Sequence, residues 1–137
     1  MLENSRIESA IGQAELRTSG EVRVFVEDKL TGEVLDRAAQ VFEKLDMHKT
    51  KLRNGVLFYV ALADHKFAIL GDAGINAKVG KGFWDEIKGE MLVFFKLNQP
   101  TEALVKGIVM AGEALAVHFP YDGNSDRNEL ANEIVVG

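Results

Sequence analysis

Residues 55–62, Gly-Val-Leu-Phe-Tyr-Val-Ala-Leu, form a nearly unbroken apolar run. The run is far too short to cross a membrane, which takes about 20 apolar residues. A strand that is apolar at every position has no face to offer to water. Such strands occur where helices cover both faces of a parallel sheet. The rest of the chain therefore has to supply two helical layers and strands that pair with this one.

The pattern supplies them. Residues 21–27 alternate, with Val22, Val24 and Val26 on one face and Arg23 and Phe25 on the other, which predicts a strand. Val34, Leu35, Ala38, Ala39, Phe42 and Leu45 recur at helical spacing over residues 32–45. A strand–helix–strand crossover is right-handed, so the strands at 21–27 and 55–62 run parallel. Ala63-Asp64-His65 reads as a tight turn, and residues 66–70 return as an antiparallel third strand. Residues 71–76 read as a loop.

Helices fill the remainder. Ser5 with Glu8 fits a capping box, and Ile7, Ala10, Ile11 and Ala14 carry a first helix to about Leu16, ended by Thr18-Ser19-Gly20. Phe83, Trp84, Ile87, Met91, Phe94 and Phe95 mark another helix, whose aromatic stripe is read as core and not as a cofactor box. Pro100 suits a first helical position, and Leu104, Val105, Ile108, Val109 and Leu115 carry the last long helix. Gly107 and Gly112 weaken that helix and predict close packing on a neighbour. The fold class that follows is α/β, a three-layer α/β/α sandwich around a small mixed sheet, parallel plus an antiparallel hairpin. Residues 1–120 are expected to form the domain and 121–137 a polar, loosely held tail.

Composition removes several functions. The 137 residues suit one domain. The absence of cysteine excludes disulfides, thiolate metal sites and cysteine nucleophiles. A net charge of −5 argues against nucleic-acid binding, which needs a basic face. With no membrane span and no basic-then-apolar leader, the chain as given is expected to be cytoplasmic, or periplasmic or membrane-associated if its N-terminus is truncated. A monomer with an unidentified protein partner is expected.

Chemistry converges on one edge of the sheet. Glu21 and Asn54 begin the parallel strands, and Asp72 ends the antiparallel one, so all three share an edge. Hard cations take oxygen ligands from carboxylates, amides and carbonyls. Asp72, Asn54, Asn76 and Glu21 are therefore candidate metal ligands. The competing reading makes Asp72 and Asn76 cap and turn residues. The loop that carries His48, Lys51 and Arg53 arrives at the same edge and could hold a phosphate, although clustered charge more often simply faces water. His65 and His118 sit at a turn and near a helix end, where a histidine is usually structural.

Catalytic motifs are missing. Gly74 and Gly80-Lys81 approach the phosphate-loop pattern, but the gap is one residue too long and Gly82 stands where a hydroxyl must hold magnesium. No dinucleotide fingerprint follows a strand, and no nucleophile elbow is present.

Several separated segments resemble the TPM domain family. They are Thr18-Ser19-Gly20-Glu21-Val22-Arg23-Val24, Met47-His48-Lys49-Thr50, Leu52-Arg53-Asn54-Gly55-Val56-Leu57, and Phe67-Ala68-Ile69-Leu70-Gly71-Asp72-Ala73-Gly74-Ile75-Asn76. Phe83-Trp84-Asp85, His118-Phe119-Pro120-Tyr121 and the last residues from Asn128-Glu129-Leu130 onward fit its small bacterial members. Leu130-Ala131-Asn132-Glu133 departs from the Pro-Asp-Glu that relatives carry. The resemblance implies a mixed sheet between helices and a divalent cation, calcium before magnesium or zinc, near the sheet edge. It carries over to Asn54-Gly55 and Gly71-Asp72-x-Gly74. Some plant chloroplast members are described as acid phosphatases linked to photosystem II repair, and an animal member is an auxiliary subunit of a membrane receptor. Fold alone does not choose between such roles.

Three functions compete. The first, and the one favoured, is a cation-binding interaction module that serves membrane-protein maintenance. The second is a weak metal-dependent phosphatase, in which a cation on Asp72 and Asn54 activates water while Arg53 and Lys51 hold the ester. The third is a partner-binding domain in which Ile134, Val135 and Val136 add a strand to a sheet edge.

Overall fold

The computed structural model describes residues 2–80, 82–121 and 134–137. In chain order it runs α1 (Asn4–Glu15), β1 (Glu21–Glu27), α2 (Val34–Lys44), a single 3-10 turn (Met47–Lys49), β2 (Gly55–Ala61), β3 (Lys66–Gly71), α3 (Ala73–Val79), α4 (Phe83–Lys96), α5 (Pro100–His118) and β4 (Val135–Val136). The strand order is β3-β2-β1-β4. β1 and β2 are parallel from Glu21↔Gly55 to Glu27↔Ala61. β3 lies antiparallel to β2 from Val56↔Gly71 to Ala61↔Lys66. The α/β sandwich with a mixed sheet is thus the observed fold.

The apolar run sits where its composition requires. β2 is central, and each of its seven residues is buried. Its even-numbered side chains, Val56, Phe58 and Val60, join Val22 and Val24 against α1, α4 and α5. Its odd-numbered side chains, Leu57, Tyr59 and Ala61, join Phe25 against α2. The two glycines of α5 make the expected close approaches. A Cβ on Gly107 would lie 2.5 Å from Met91 Sδ and 2.8 Å from Phe58 Cε1, and one on Gly112 would lie 2.8 Å from Ala14 Cβ. Phe83, Trp84, Phe94 and Phe95 pack against the core, as read from their spacing.

Three expectations change. The Ser5–Glu8 capping box does not form: Glu3 is the N-cap residue and no side chain caps the helix. Instead the Glu3 amide donates to Thr101 Oγ1 at 2.9 Å, so contact with α5 sets where α1 begins. Glu8 turns to accept from the Ile134 amide at 3.2 Å. Residues 71–76 are not a loop throughout, because Asp72 caps a short helix from Ala73. The weak helix formers Gly74 and Asn76 hide this helix from a pattern reading; tertiary contacts described below hold it. Finally, the C-terminal tail carries a short strand. Residues 122–133 of it lie outside the described residues, but Val135–Val136 pair in parallel with Phe25 and Val26 of β1. The strand addition expected of the C-terminus therefore takes place on the chain's own sheet. No helix among the described residues is long and apolar enough to cross a membrane.

Candidate functional site

The amino edge of the parallel strands holds two separate polar groups. The first is built around Asp72. Its carboxylate accepts from the Ala73 amide at 2.8 Å and so caps α3. It also takes both arms of Arg53, Nε to Oδ2 at 2.6 Å and Nη2 to Oδ1 at 2.8 Å. Such a bidentate fork is the strongest carboxylate pairing a side chain makes. Arg53 reaches it from a left-handed backbone (φ 53°), and the carboxylate holds its guanidinium still more firmly protonated. The Arg53 carbonyl completes the joint by accepting from the amides of Gly74 at 2.7 Å and Ile75 at 3.3 Å. The loop before β2 is in this way docked onto the first turn of α3.

This geometry sorts the candidates. Asp72, read as a metal ligand, and Arg53, read as a phosphate ligand, bind each other. Asn76 spends both ends of its amide: Nδ2 donates to the Gly71 carbonyl at 2.8 Å and Oδ1 accepts from Trp84 Nε1 at 2.7 Å. It ties β3, α3 and α4 together. Lys51 is exposed. His48 lies in the 3-10 turn, and its Nδ1 is buried with no partner among the described residues.

The second group lies at the start of β1. Asn54 is 1% exposed and Glu21 2% exposed. The Asn54 carbonyl accepts from the Glu21 amide at 3.4 Å, and its Nδ2 reaches Ser19 Oγ at 3.4 Å. Glu15, the last residue of α1, comes back to meet them. Its Oε2 accepts from the Val22 amide at 2.9 Å, on the side of β1 where β4 pairs only with Phe25 and Val26. A carboxylate here does the work of a neighbouring strand. Glu15 also shares a hydrogen bond with the Glu21 carboxyl, and burial pushes its own pKa up against the pull of Val22, Glu21 and Arg23. Its Oε1 is buried and receives no hydrogen bond from an N–H or hydroxyl among the described residues. A reading based on apolar periodicity passes over Glu15. The signal available in the sequence is a pair of glutamates, Glu15 and Glu21, on either side of a helix-to-strand turn.

The raised Glu15 has a consequence for stability. Between the ordinary glutamate range and its raised value, the folded chain holds a proton that the unfolded chain has lost. Stability contributed by this group is therefore greatest at acid pH and falls as pH rises through that window. Glu15→Gln, which keeps the shape without the titration, is expected to flatten this part of a urea-midpoint profile against pH.

At the opposite end of β1 stands a third polar group. Glu27 accepts from Arg37 through Nε at 2.8 Å and Nη2 at 3.0 Å. The fully buried Tyr59 donates its hydroxyl proton to Glu27 Oε2. Arg37, then the Tyr59 hydroxyl, hold Glu27 below the usual carboxylate range, and burial pushes Tyr59 up to about 12. Glu27 thus adds stability above the ordinary glutamate range that is lost as pH falls through its lowered value. The group clamps β1, β2 and α2 together. Tyr59→Phe is expected to cost about 1.5 kcal/mol, the worth of a hydrogen bond to a charged acceptor, by urea denaturation.

Among the described residues no three or more His, Asp or Glu side chains converge as a metal cluster. A cation at the amino edge would thus rest on two carboxylates, helped by amide, carbonyl and water oxygens. Calcium tolerates such a set because its coordination is large and flexible.

Comparison with known proteins fits this architecture. No curated protein matches the sequence. Among solved structures, the NMR structure of BA42 from the psychrophilic bacterium Bizionia argentinensis is 46% identical, with a TM-score of 0.91 over 98% of this chain and 92% of that one. The N-terminal domain of a P. gingivalis protein shares the fold at 19% identity, with a TM-score of 0.72 over 89% of this chain and 83% of that one. The TPM domain family matches residues 2–114, which takes in every element from α1 into α5. The chain belongs to the TPM domain family.

Proposed function

We propose that this TPM domain is a cation-binding interaction module that takes a divalent cation, calcium first, at the amino edge of its sheet. The centre of the proposed site is the Glu15–Glu21 carboxyl pair, with Asn54 beside it. The observation that supports it is the buried Glu15 carboxyl, which faces the Glu21 carboxyl and whose Oε1 receives no hydrogen bond from an N–H or hydroxyl among the described residues. Such an atom is costly unless something meets it. Two carboxyls in contact hold a proton between them in acid, and a hard dication takes that place once the proton leaves.

Asp72 joins this site only if Arg53 lets go. The Arg53 side chain is half exposed, so its guanidinium has solvent to move into. Asn76 is committed to Gly71 and Trp84 and contributes least. Magnesium demands a stricter octahedron, and zinc favours nitrogen and sulfur ligands, so both rank behind calcium. Phosphate-ester hydrolysis is the weaker reading, since Arg53 is engaged by Asp72, leaving His48 and Lys51 to hold an ester. A cation at this edge would change the charge that the domain shows to a protein partner. Membrane-protein maintenance is the role that the family resemblance attaches to such a module.

Calorimetric titration with calcium tests the site. The expected result is binding that strengthens with pH as the pair loses its proton, with proton release on binding. Glu15→Gln is expected to weaken it about tenfold or more, because charge count sets calcium affinity. Asp72→Asn, which frees Arg53, is expected to matter less. Equal binding by wild type and Glu15→Gln would refute the assignment.

A further inference from the structure

At the carboxyl edge of the parallel strands, opposite the site proposed above and independent of it, lies a cavity of about 580 Å³. It sits between the β2–β3 hairpin and the junction of α4 with α5. Val60, Leu62, Phe67, Leu92 and Phe95 line its apolar part. Phe67 and Phe95 lie in contact, with ring centroids 4.7 Å apart. The volume falls within the range of small-molecule sites, which are apolar with a few placed polar groups.

The polar groups of this cavity are of one sign. Lys66 and Lys96 stand on it, and so does His65, while none of its lining residues is acidic. In a chain of net charge −5 this is a local reversal. Neither lysine ammonium forms an ion pair with a described residue. Both turns that border the cavity are pinned by a residue in the left-handed region, His65 at φ 53° and Asn98 at φ 59°. Beside it, Leu92 of α4 is 41% exposed and Leu97, which caps that helix, 62% exposed. Apolar surface at the rim of a cationic pocket suits a ligand with a hydrocarbon part too long to be swallowed whole.

The geometry points to a binding site for a free, single-chain anionic amphiphile, an alkyl carboxylate, with the chain against Phe67 and Phe95 and the carboxylate between Lys66 and Lys96. Charge complementarity selects the anion, and the apolar wall selects the chain. Each methylene removed from the chain weakens binding about fourfold, the value of one buried CH₂.

The test is an amide NMR titration of the full chain, without calcium, using decanoate below its micelle concentration. Decyltrimethylammonium serves as the control of opposite charge. Expected are decanoate shifts confined to residues 60–67 and 92–100, with the cationic analogue at least about tenfold weaker. The exposed double variant Lys66→Ala/Lys96→Ala folds as wild type and loses decanoate affinity about tenfold or more. Leu92→Trp, which places an indole at the mouth, lowers affinity without touching the charges. Absence of shifts at millimolar decanoate, equal response to the two head groups, or an unchanged double variant would each overturn the proposal. Response only to phosphatidylglycerol vesicles and not to monomeric decanoate would overturn it in favour of a membrane surface. Loss of calcium binding leaves this result untouched, so the two proposals fail separately.

Discussion

Phe58→Ala is expected to lower the free energy of unfolding by about 4 kcal/mol, the cost of emptying a buried aromatic site. Urea denaturation measures it directly, and the thermal midpoint is expected to fall by roughly 10 °C or more for a chain of this size. Phe58 lies in the middle of β2, with Val24 and Ile69 as its register partners on either side, and it is fully buried. Its ring reaches α5 at Gly107, where no side chain intervenes. The site is closed by strands laterally and by α5 above, so little can collapse into the space. A loss below about 2 kcal/mol would mean that α5 moves in and that the Gly107 contact is not the fixed point taken here.

The second large effect falls on Gly74, the second residue of α3. A Cβ there would lie 2.0 Å from the Leu52 carbonyl oxygen and 2.6 Å from that of Arg53. Both are backbone atoms, so no rotamer change relieves the overlap. Gly74→Ala is expected to cost about 3 kcal/mol, at the upper end of overpacking penalties. Relief comes only if the loop lifts away from α3, which breaks the Gly74–Arg53 hydrogen bond and the Arg53–Asp72 fork. Gly89→Ala provides the contrast. It lies exposed within α4 with nothing near its Cβ position, and there alanine is expected to add about 0.5–1 kcal/mol.

These two residues also show what the sequence tells and what it leaves out. Phe58 is legible because an uninterrupted apolar run admits few structures, and the crossover rule then fixes the direction of its partner strand. The glycines of α5 are legible because a helix weakened twice has a packing reason, here one glycine against Met91 and Phe58 and the other against Ala14. α3 is not legible. Gly74 and Asn76 are poor helix residues, and the helix exists because Asp72 caps it, the Arg53 carbonyl receives its first amides, and Asn76 ties it to Trp84. All of those are contacts between residues distant in the chain or hidden in a glycine-rich stretch.

The amino edge was legible as a place, since strand direction brings Glu21, Asn54 and Asp72 to it. Which groups meet there was not. Side-chain chemistry alone made Asp72 a metal ligand and Arg53 an anion ligand, while in the structure opposite charges at reach form one fork. Glu15 is not legible because apolar periodicity carries no signal for a polar residue at the end of a helix. Its pairing with Glu21 depends on the tight return of the chain through Thr18, Ser19 and Gly20, where Thr18 is itself held by the carbonyls of Leu115 and Phe119.

The most direct test of the proposed cation site is a two-dimensional amide NMR titration with calcium, repeated with magnesium and zinc. The expected result is shifts concentrated at Gly20, Val22, Asn54 and Gly55, strongest with calcium and needing about tenfold or more calcium in Glu15→Gln. Smaller changes at Asp72 to Asn76 are expected as Arg53 is released. A spectrum unchanged at millimolar calcium, or changed equally in Glu15→Gln, would contradict the site and leave the Glu15–Glu21 pair as the edge closure of β1.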